Sequence, residues 1–316
     1  MKSIRTELLI HPEELDERWI KRAKKLSLDR LTIHPWGGKT AHLSLEKMLE
    51  ELKTPRMRSL IDRLCDAGIE IGYEFHAGSY LLDRGLFDTH PEYFRANANG
   101  ERVREKNFCY SNEEALKIVA ENAKKLAKRL YRSSNDYFFW LDDSKDMRCH
   151  CEKCSRLTVS DHQLTVMNTV LGALREENPN ARLCYLAYYE TMELPKAVKP
   201  SDGIFLEYAP IERDLTAPLS TADTAALDGL HSLVSFFGKE GAKVLEYWYD
   251  NSLFSRWKKP PVRFTVKNDV VKADVELYSS LGFESIASFA CFLGEDYVEL
   301  YGEPDLTGFE KSALST

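Results

Sequence analysis

A closed barrel of eight parallel strands, each followed by a helix, is the fold this sequence predicts, as one domain over residues 1–316, and three observations predict it. Short runs of apolar, β-branched or aromatic residues alternate with helical patterns along the whole chain. No Pro/Gly/Ser-rich linker or low-complexity stretch interrupts the alternation. No Gly-rich phosphate turn follows an early strand, as an open doubly wound sheet would usually show. An eight-stranded barrel of this kind takes about 250 residues and grows through its loops, which the 316 residues here accommodate.

The first unit is the strand "ELLIHP" from Glu7, a helix with Leu15, Trp19, Ala23 and Leu26 on one face, and a second strand "LTIHPW" from Leu31. One helix is expected from Ser44 to about Ala67, then "IEIGYEFHAG" from Ile69. After a long connection, Ser111 and Glu114 form a capping-box signature for a helix reaching Leu130, and "YFFWLDD" is the fourth strand. Ser160 and Gln163 repeat the cap pattern before a helix that buries Leu164, Met167, Leu171 and Leu174. The strands "LCYLAYYE" from Leu183, "IFLEYAP" from Ile204, "KVLEYWYDN" from Lys243 and "SIASFACFLG" from Ser285 complete eight. Helices over about 221–239 and 266–281 separate the last of them.

Composition narrows the function. With 43% hydrophobic residues and no apolar run long enough to cross a bilayer, the chain reads as globular, with no membrane partner expected. Its 43 basic and 50 acidic residues give a net charge of −7, spread without the basic stripe that nucleic acid would require. The start, "MKSIRTELLIHPEELDERW", lacks the apolar core of a secretory signal. Seven cysteines cannot all pair within one chain, so a reducing cytoplasm is expected.

A barrel of this class carries its chemistry at the C-terminal ends of its strands. Those ends hold His34 with Trp36, Glu74 with His76, Asp142 with Asp143, Tyr188 with Tyr189 and Glu190, Glu207 with Tyr208, and Trp248 with Tyr249 and Asp250. Carboxylates among tyrosine, tryptophan and histidine suit a sugar, whose faces stack on aromatic rings while its hydroxyls bind acids and imidazoles. Carboxylates this close to a barrel axis are costly unless used or paired. Adjacent strand residues face opposite ways, so Asp142 and Asp143 suggest one catalyst and one support. Glycoside hydrolysis needs an acid to protonate the leaving oxygen and a second carboxylate. Asp143 takes the first role, and Asp250, or else Glu207, the second. The aromatic rim of Trp36, Tyr188, Tyr208, Trp248 and Tyr249 is expected to be exposed and to bind a small sugar or oligosaccharide.

Cys149, Cys151 and Cys154 lie within six residues in "CHCEKC". Thiolates at this spacing suit a tetrahedral zinc ion with a structural role, since a sulfur-filled site leaves no open position for water. Cys109, His162 and His150 are candidates for the fourth ligand, and Cys109 would complete a four-sulfur set. Free thiols or one disulfide are the alternatives. No organic cofactor is expected.

The runs "NFCYSN", "FFWLDD", "CHCEKC", "NTVLGAL" and "LAYYETMELP" together resemble the glycoside-hydrolase-like barrels known as domain of unknown function 4838, neighbours of the alpha-glucuronidases and family 20 hexosaminidases. The resemblance covers roughly Thr89 to Asn251. It implies a carbohydrate-active (β/α)8 barrel, with Asp143 where related hydrolases keep a general acid. The chain departs from the family in carrying the acid of its seventh strand at Asp250 and in having no acid in "SFACF". Glycosidic hydrolysis is therefore the leading expectation. A glycan-binding barrel without catalysis is one alternative, and a sugar isomerase or lyase using His34, His76 and Glu74 as bases is the other.

Overall fold

The computed structural model describes residues 4–221 and 224–311. Eight strands follow one another around a closed barrel in chain order. They are β1 (Arg5–Ile10), β2 (Arg30–Ile33), β3 (Glu70–His76), β4 (Asp136–Trp140), β5 (Arg182–Ala187), β6 (Ile204–Tyr208), β7 (Lys243–Glu246) and β8 (Ser285–Phe289). The pairing of β1 with β8 is parallel, with Thr6 opposite Ile286 and Leu8 opposite Ser288. With helices between the strands this is the (β/α)8 fold that the alternation predicts. Contacts group the chain into two compact units. One comprises Met1–His34, Lys53–Gly72 and Glu207–Thr316, and the other Pro35–Leu52 and Tyr73–Leu206.

In the first unit, Asp16 Oδ1 accepts from the backbone N–H groups of Arg18 (2.8 Å) and Trp19 (3.1 Å), which starts the helix Glu17–Leu26. Trp19, Ile20, Ala23 and Leu26 form its buried face. Inside the unit lies a layer of buried charge. Arg30 opens β2, Lys243 opens β7 and Ser285 opens β8, while Glu7 lies opposite Arg30 and Glu207 opposite Lys243. Lys243 Nζ is 3.1 Å from Glu7 Oε2 and 3.5 Å from Glu207 Oε1, and Arg30 Nη1 is 3.5 Å from Glu7 Oε1. Desolvation alone would raise the Glu7 pKa, but Arg30 and Lys243 outweigh it and bring it to about 2.

In the second unit, β3, β4 and β5 carry the helices Ala41–Glu51, Gly78–Leu81, Glu113–Ala127 and Val159–Glu177 on their connections. Asp136, which opens β4, pairs through Oδ1 with Arg182 Nε of β5 at 2.7 Å.

Element boundaries correct the sequence reading in several places. The helix expected from Ser44 to Ala67 is two helices, Ala41–Glu51 and Pro55–Asp66. Pro55 has no N–H for a continuing helix, and Thr54 Oγ1 instead accepts from Met57 N at 3.2 Å to start the second one. Asn112, not Ser111, caps Glu113–Ala127, accepting from Ala115 N at 2.9 Å. Thr158 and Asp161, not Ser160 and Gln163, form the capping box of Val159–Glu177. Gln163 donates to Leu186 O instead, at 2.8 Å. The helix expected over 221–239 is Thr224–Phe237, and residues 222 and 223 lie outside the described residues. β7 closes at Glu246, so "YWYD" belongs to the loop beyond it and Asn251 opens a short helix. Among the described residues no helix is long and apolar enough to cross a membrane.

Candidate functional site

β4 ends at Trp140, and the chain then turns through Leu141, Asp142 and Asp143. Asp142 is tied into this turn. Its Oδ2 accepts from Asn107 N at 2.6 Å and from the Arg84 guanidinium. Its own N–H donates to Asn107 Oδ1 at 2.8 Å, and Arg84 Nη1 donates to Asn107 O at 2.7 Å. Asn107 is fully buried with φ +64, a left-handed conformation that asparagine tolerates better than most residues. A Cβ on Gly78 would lie 2.6 Å from Asp142 Oδ1, so only glycine fits beside this knot.

Asp143 is exposed and receives the Tyr188 hydroxyl on Oδ1 at 3.3 Å. The backbone of Gly37 packs beside it: a Cβ there would lie 3.2 Å from His76 Cδ2 and 3.5 Å from Asp143 Oδ2. His76 closes β3, donates from Nδ1 to Leu141 O at 2.7 Å and sets its ring edge-on to Trp140 at 5.1 Å. A carbonyl oxygen only accepts, so Nδ1 carries the proton and Nε2 is turned to the other side of the ring. Tyr188 packs against Tyr189 with ring centres 4.1 Å apart, and Lys145 Nζ lies 4.5 Å over the Tyr189 ring. Glu190 Oε2 accepts from Met147 N at 3.2 Å. Trp36, half-buried on the Gly37 segment, accepts on its carbonyl from Ser44 Oγ at 3.0 Å. Asp143, His76, Gly37 and Tyr188 thus meet in the second unit, whereas Glu74 is fully buried within β3.

In the first unit, Asp250 is 5% exposed and holds the short helix Asn251–Phe254. Its Oδ1 accepts from Ser252 N (3.0 Å), Ser252 Oγ (2.5 Å) and Leu253 N (3.3 Å). Burial raises its pKa to about 6 against the pull of those donors. Its Oδ2 has no hydrogen bond among the described residues. Glu207 is fully buried and engaged by Lys243. His34 is buried edge-on to Phe289 at 5.0 Å, and its carbonyl accepts from His11 Nδ1 at 2.8 Å.

The aromatic rim expected from the sequence is corrected at three positions. Trp248 is 2% exposed and Tyr249 fully buried, both packed on Phe309, and Trp248 Nε1 donates to Asp274 Oδ2 at 3.1 Å. Tyr208 is buried against Tyr278. These rings are buried against Phe309 and against Tyr278 of the helix Asn268–Leu281.

His11 and Glu14 were missed. His11 follows β1 just as His34 follows β2, so extending the strand-end reading to the first strand would have found it. Glu14 Oε2 accepts from His11 N (3.1 Å) and Oε1 from Leu293 N (3.0 Å), and burial raises its pKa to about 8. Burial lowers that of His11.

The thiols of Cys109, Cys149, Cys151 and Cys154 converge, all within 4.8 Å of one another, and could hold a metal ion. Cys109 Sγ lies 3.7 Å from Cys151 Sγ and 4.0 Å from Cys154 Sγ. A disulfide needs about 2.05 Å. Zinc bonds of about 2.3 Å in a tetrahedron put the sulfurs about 3.8 Å apart, and the observed spacing fits that. Ser111 Oγ is 3.2 Å from Cys154 Sγ, and Ala96 N donates to Cys149 Sγ at 3.3 Å. Hydrogen bonds from Cys149 and Cys154 pull the Cys109 pKa down, which favours the thiolate a metal requires. His162 Nε2 is bound to Cys154 O at 3.0 Å, which places it behind the sulfurs, not among them.

Fold and strand-end residues define a (β/α)8 barrel with its carboxylate and histidine groups at the C-terminal ends of the strands. Residues 53–284 match the family described as Domain of unknown function (DUF4838), and the chain belongs to that family. No curated protein matches it in sequence. Among solved structures it is similar to a beta-galactosidase from the psychrophilic Marinomonas ef1, with TM-score 0.52 and 12% identity over 90% of this chain and 54% of that one. It is also similar to a mutant O-GlcNAc hydrolase of Thermobaculum terrenum, with TM-score 0.53 and 12% identity over 95% and 57% of the two chains. A third similarity is to ZgEngAGH5_4 in complex with a cellotriose, with TM-score 0.51 and 10% identity over 95% and 88%. The chain spans a little over half the length of the first two. At these identities the likeness is one of fold.

Proposed function

We propose that this barrel is carbohydrate-active and hydrolyses a glycosidic bond, with Asp143 as the acid that protonates the leaving oxygen. The observation that carries the reading is the setting of Asp143: accessible just past a strand's C-terminal end, hydrogen-bonded by Tyr188, and beside His76 and the side-chain-free backbone of Gly37. Asp142 is the support of the pair, since both Arg84 and Asn107 hold it in the turn. Within the first unit, Asp250 rather than Glu207 is the candidate for a second carboxylate. Asp250 is anchored through Oδ1 and keeps Oδ2 for chemistry, whereas Glu207 is engaged by Lys243. Tyr188, Tyr189 and Trp36 supply the aromatic surface for a sugar ring.

In the reaction the Asp143 proton passes to the glycosidic oxygen as the bond to the anomeric carbon breaks. A second carboxylate either attacks that carbon or takes a proton from the attacking water. The solved relatives in fold include a beta-galactosidase and a protein bound to a cellotriose, and both support a saccharide substrate. The four cysteines would hold a zinc ion with a structural role, since four sulfurs would complete its coordination. Assay on a panel of aryl glycosides and oligosaccharides, with the anomer of the product followed by NMR, tests the reading. Turnover lost in Asp143→Asn supports it; a panel on which the wild type turns over nothing overturns it.

A further inference from the structure

The chain's acidic balance hides one local exception. From Asn251 to Asn268 it contains no aspartate or glutamate and five cations, Arg256, Lys258, Lys259, Arg263 and Lys267. This segment follows β7, so it rises from the face of the barrel that carries the strand-end groups. Lys259 shows where it lies. Its Nζ sits 4.9 Å over the ring of Phe292, just beyond β8, and pairs with Asp296 at 2.7 Å.

Trp257 stands at the centre of the segment, 59% exposed, between Phe254 at 38% and Val262 at 45%. An exposed tryptophan flanked by other apolar side chains leaves unsatisfied surface that marks an interaction site. The turn that presents it is built. Arg256 (φ +52) and Trp257 (φ +54) both adopt the left-handed conformation, which is uncommon for residues with large side chains. Buried groups hold them there: Trp257 N donates to Ser252 O at 2.7 Å, Val262 N to Ser255 Oγ at 3.0 Å, and Asn251 Nδ2 to Val262 O at 2.9 Å. Arg256, Lys258 and Arg263 have no carboxylate within ion-pairing distance among the described residues, although Arg263 lies over the Tyr301 ring at 5.9 Å.

We propose that Trp257 and the cations around it form a binding site for an anionic saccharide chain, the indole stacking on a sugar ring while Arg256, Lys258 and Arg263 meet carboxylate or sulfate groups. The inference rests on the reading of the barrel as carbohydrate-active and names the substrate class. Flat apolar surface for the ring and unpaired cations for the charge occur together, and a neutral glycan would use only the first. A single-stranded nucleic acid also offers rings and anions, but its successive bases call for a series of stacking aromatics, and this segment exposes a single tryptophan.

Affinity electrophoresis tests it with full-length protein in gels containing polygalacturonate, dextran sulfate or neutral hydroxyethylcellulose. The wild type is expected to be retarded by one or both anionic polymers and not by the neutral one, and their order distinguishes carboxylate from sulfate recognition. Trp257→Ala should weaken binding at least tenfold. Arg256→Gln with Lys258→Gln should weaken it and flatten its salt dependence. Circular dichroism checks that each variant is folded, which the exposure of these side chains favours. Retention of Asp143→Asn at the wild-type level keeps this inference separate from the proposed hydrolysis, because the site then stands whether or not turnover exists. The proposal is overturned by equal retardation in the neutral gel, by a Trp257→Ala variant that binds like the wild type, or by tighter binding to oligo(U) RNA or phosphatidylglycerol vesicles than to either anionic polymer.

Discussion

The Tyr188 hydroxyl donates to Asp143 Oδ1 at 3.3 Å, joining the aromatic residue just past β5 to the acidic residue just past β4. Neighbouring strands thereby fix one carboxylate from two sides, because the chain at Asp143 is itself pinned through Asp142. Tyr188 is also held by its neighbours: its N–H donates to Thr191 Oγ1 at 3.0 Å and its ring packs on Tyr189. The orientation of Asp143 is therefore set by backbone and by packing, as a group transferring a proton along a fixed direction requires.

On the proposed reading, Asp143→Asn should cut turnover by about 10²-fold or more while leaving the fold and saccharide binding in place, the usual scale for a lost general acid. Tyr188→Phe, which keeps the ring and removes only the hydroxyl, should lower kcat by a smaller factor with little change in KM. Steady-state kinetics on one substrate would measure both. An Asp143→Asn variant that turns over like the wild type removes Asp143 from the mechanism.

Gly37 offers an independent probe of the same geometry. A methyl group there would come 3.2 Å from His76 Cδ2, so Gly37→Ala should push the ring or the loop by a few tenths of an ångström. The expected result is a clear fall in kcat/KM with the melting temperature nearly unchanged. Loss of stability without loss of kcat/KM would show the close approach to be a packing detail.

Arg84 tests the support. Its guanidinium is 17% exposed and Asp142 15%, so removing the cation leaves a largely buried carboxylate with only the Asn107 N–H. Arg84→Ala should cost about 2 to 4 kcal/mol in denaturant unfolding, and Arg84→Ala with Asp142→Asn should recover part of that. A destabilisation below about 0.5 kcal/mol would mean that solvent replaces the pair.

The barrel was legible because it rests on a rhythm: eight apolar runs separated by helical patterns survive errors of several residues at any boundary. Strand-end residues were legible only where the strand ran as far as expected. β3 closes at His76, and its neighbour Asp143 could be named, but β7 stops at Glu246, and Trp248 and Tyr249 beyond it are buried, not exposed. Burial of Glu207 beside Lys243 depends on register between strands, and single-strand patterns do not contain it. The cysteine cluster sits between these cases: spacing gave three members and the capping region supplied Cys109, but only folding brings all four within 4.8 Å.

That cluster predicts about one equivalent of zinc per chain in protein purified without added metal, measured by elemental analysis. Cys154→Ser should lose the metal and lower the melting temperature. Because Cys149 and Cys151 lie just beyond the Asp142–Asp143 turn, metal loss should also lower turnover through misplacement of Asp143. Metal-free wild-type protein with four freely titrating thiols at full stability would refute the clip.

Buried carboxylates give the stability a defined pH dependence, of opposite sign for two glutamates in the first unit. Glu14 has a folded pKa of about 8 against an ordinary 4.5, so the folded state holds a proton that the unfolded chain releases. Its contribution is full below about pH 4.5 and is lost as pH rises toward 8. Asp250 and Glu246, raised by burial to about 6 and 7, act in the same direction over narrower windows. Glu7 is lowered to about 2, so its contribution is present above about pH 4.5 and lost as pH falls toward 2. The raised carboxylates should therefore make stability decline between about pH 5 and 8 by up to about 1.4 kcal/mol per pH unit for each proton involved, offset below about pH 6.5 by His11 and His162, whose neutral forms burial favours. Denaturant unfolding at a series of pH values measures this directly. Glu14→Gln, which cannot release the proton, should flatten the decline between pH 5 and 8 whatever it does to the absolute stability, and an unchanged slope in that variant would show that Glu14 is ionised in the folded protein.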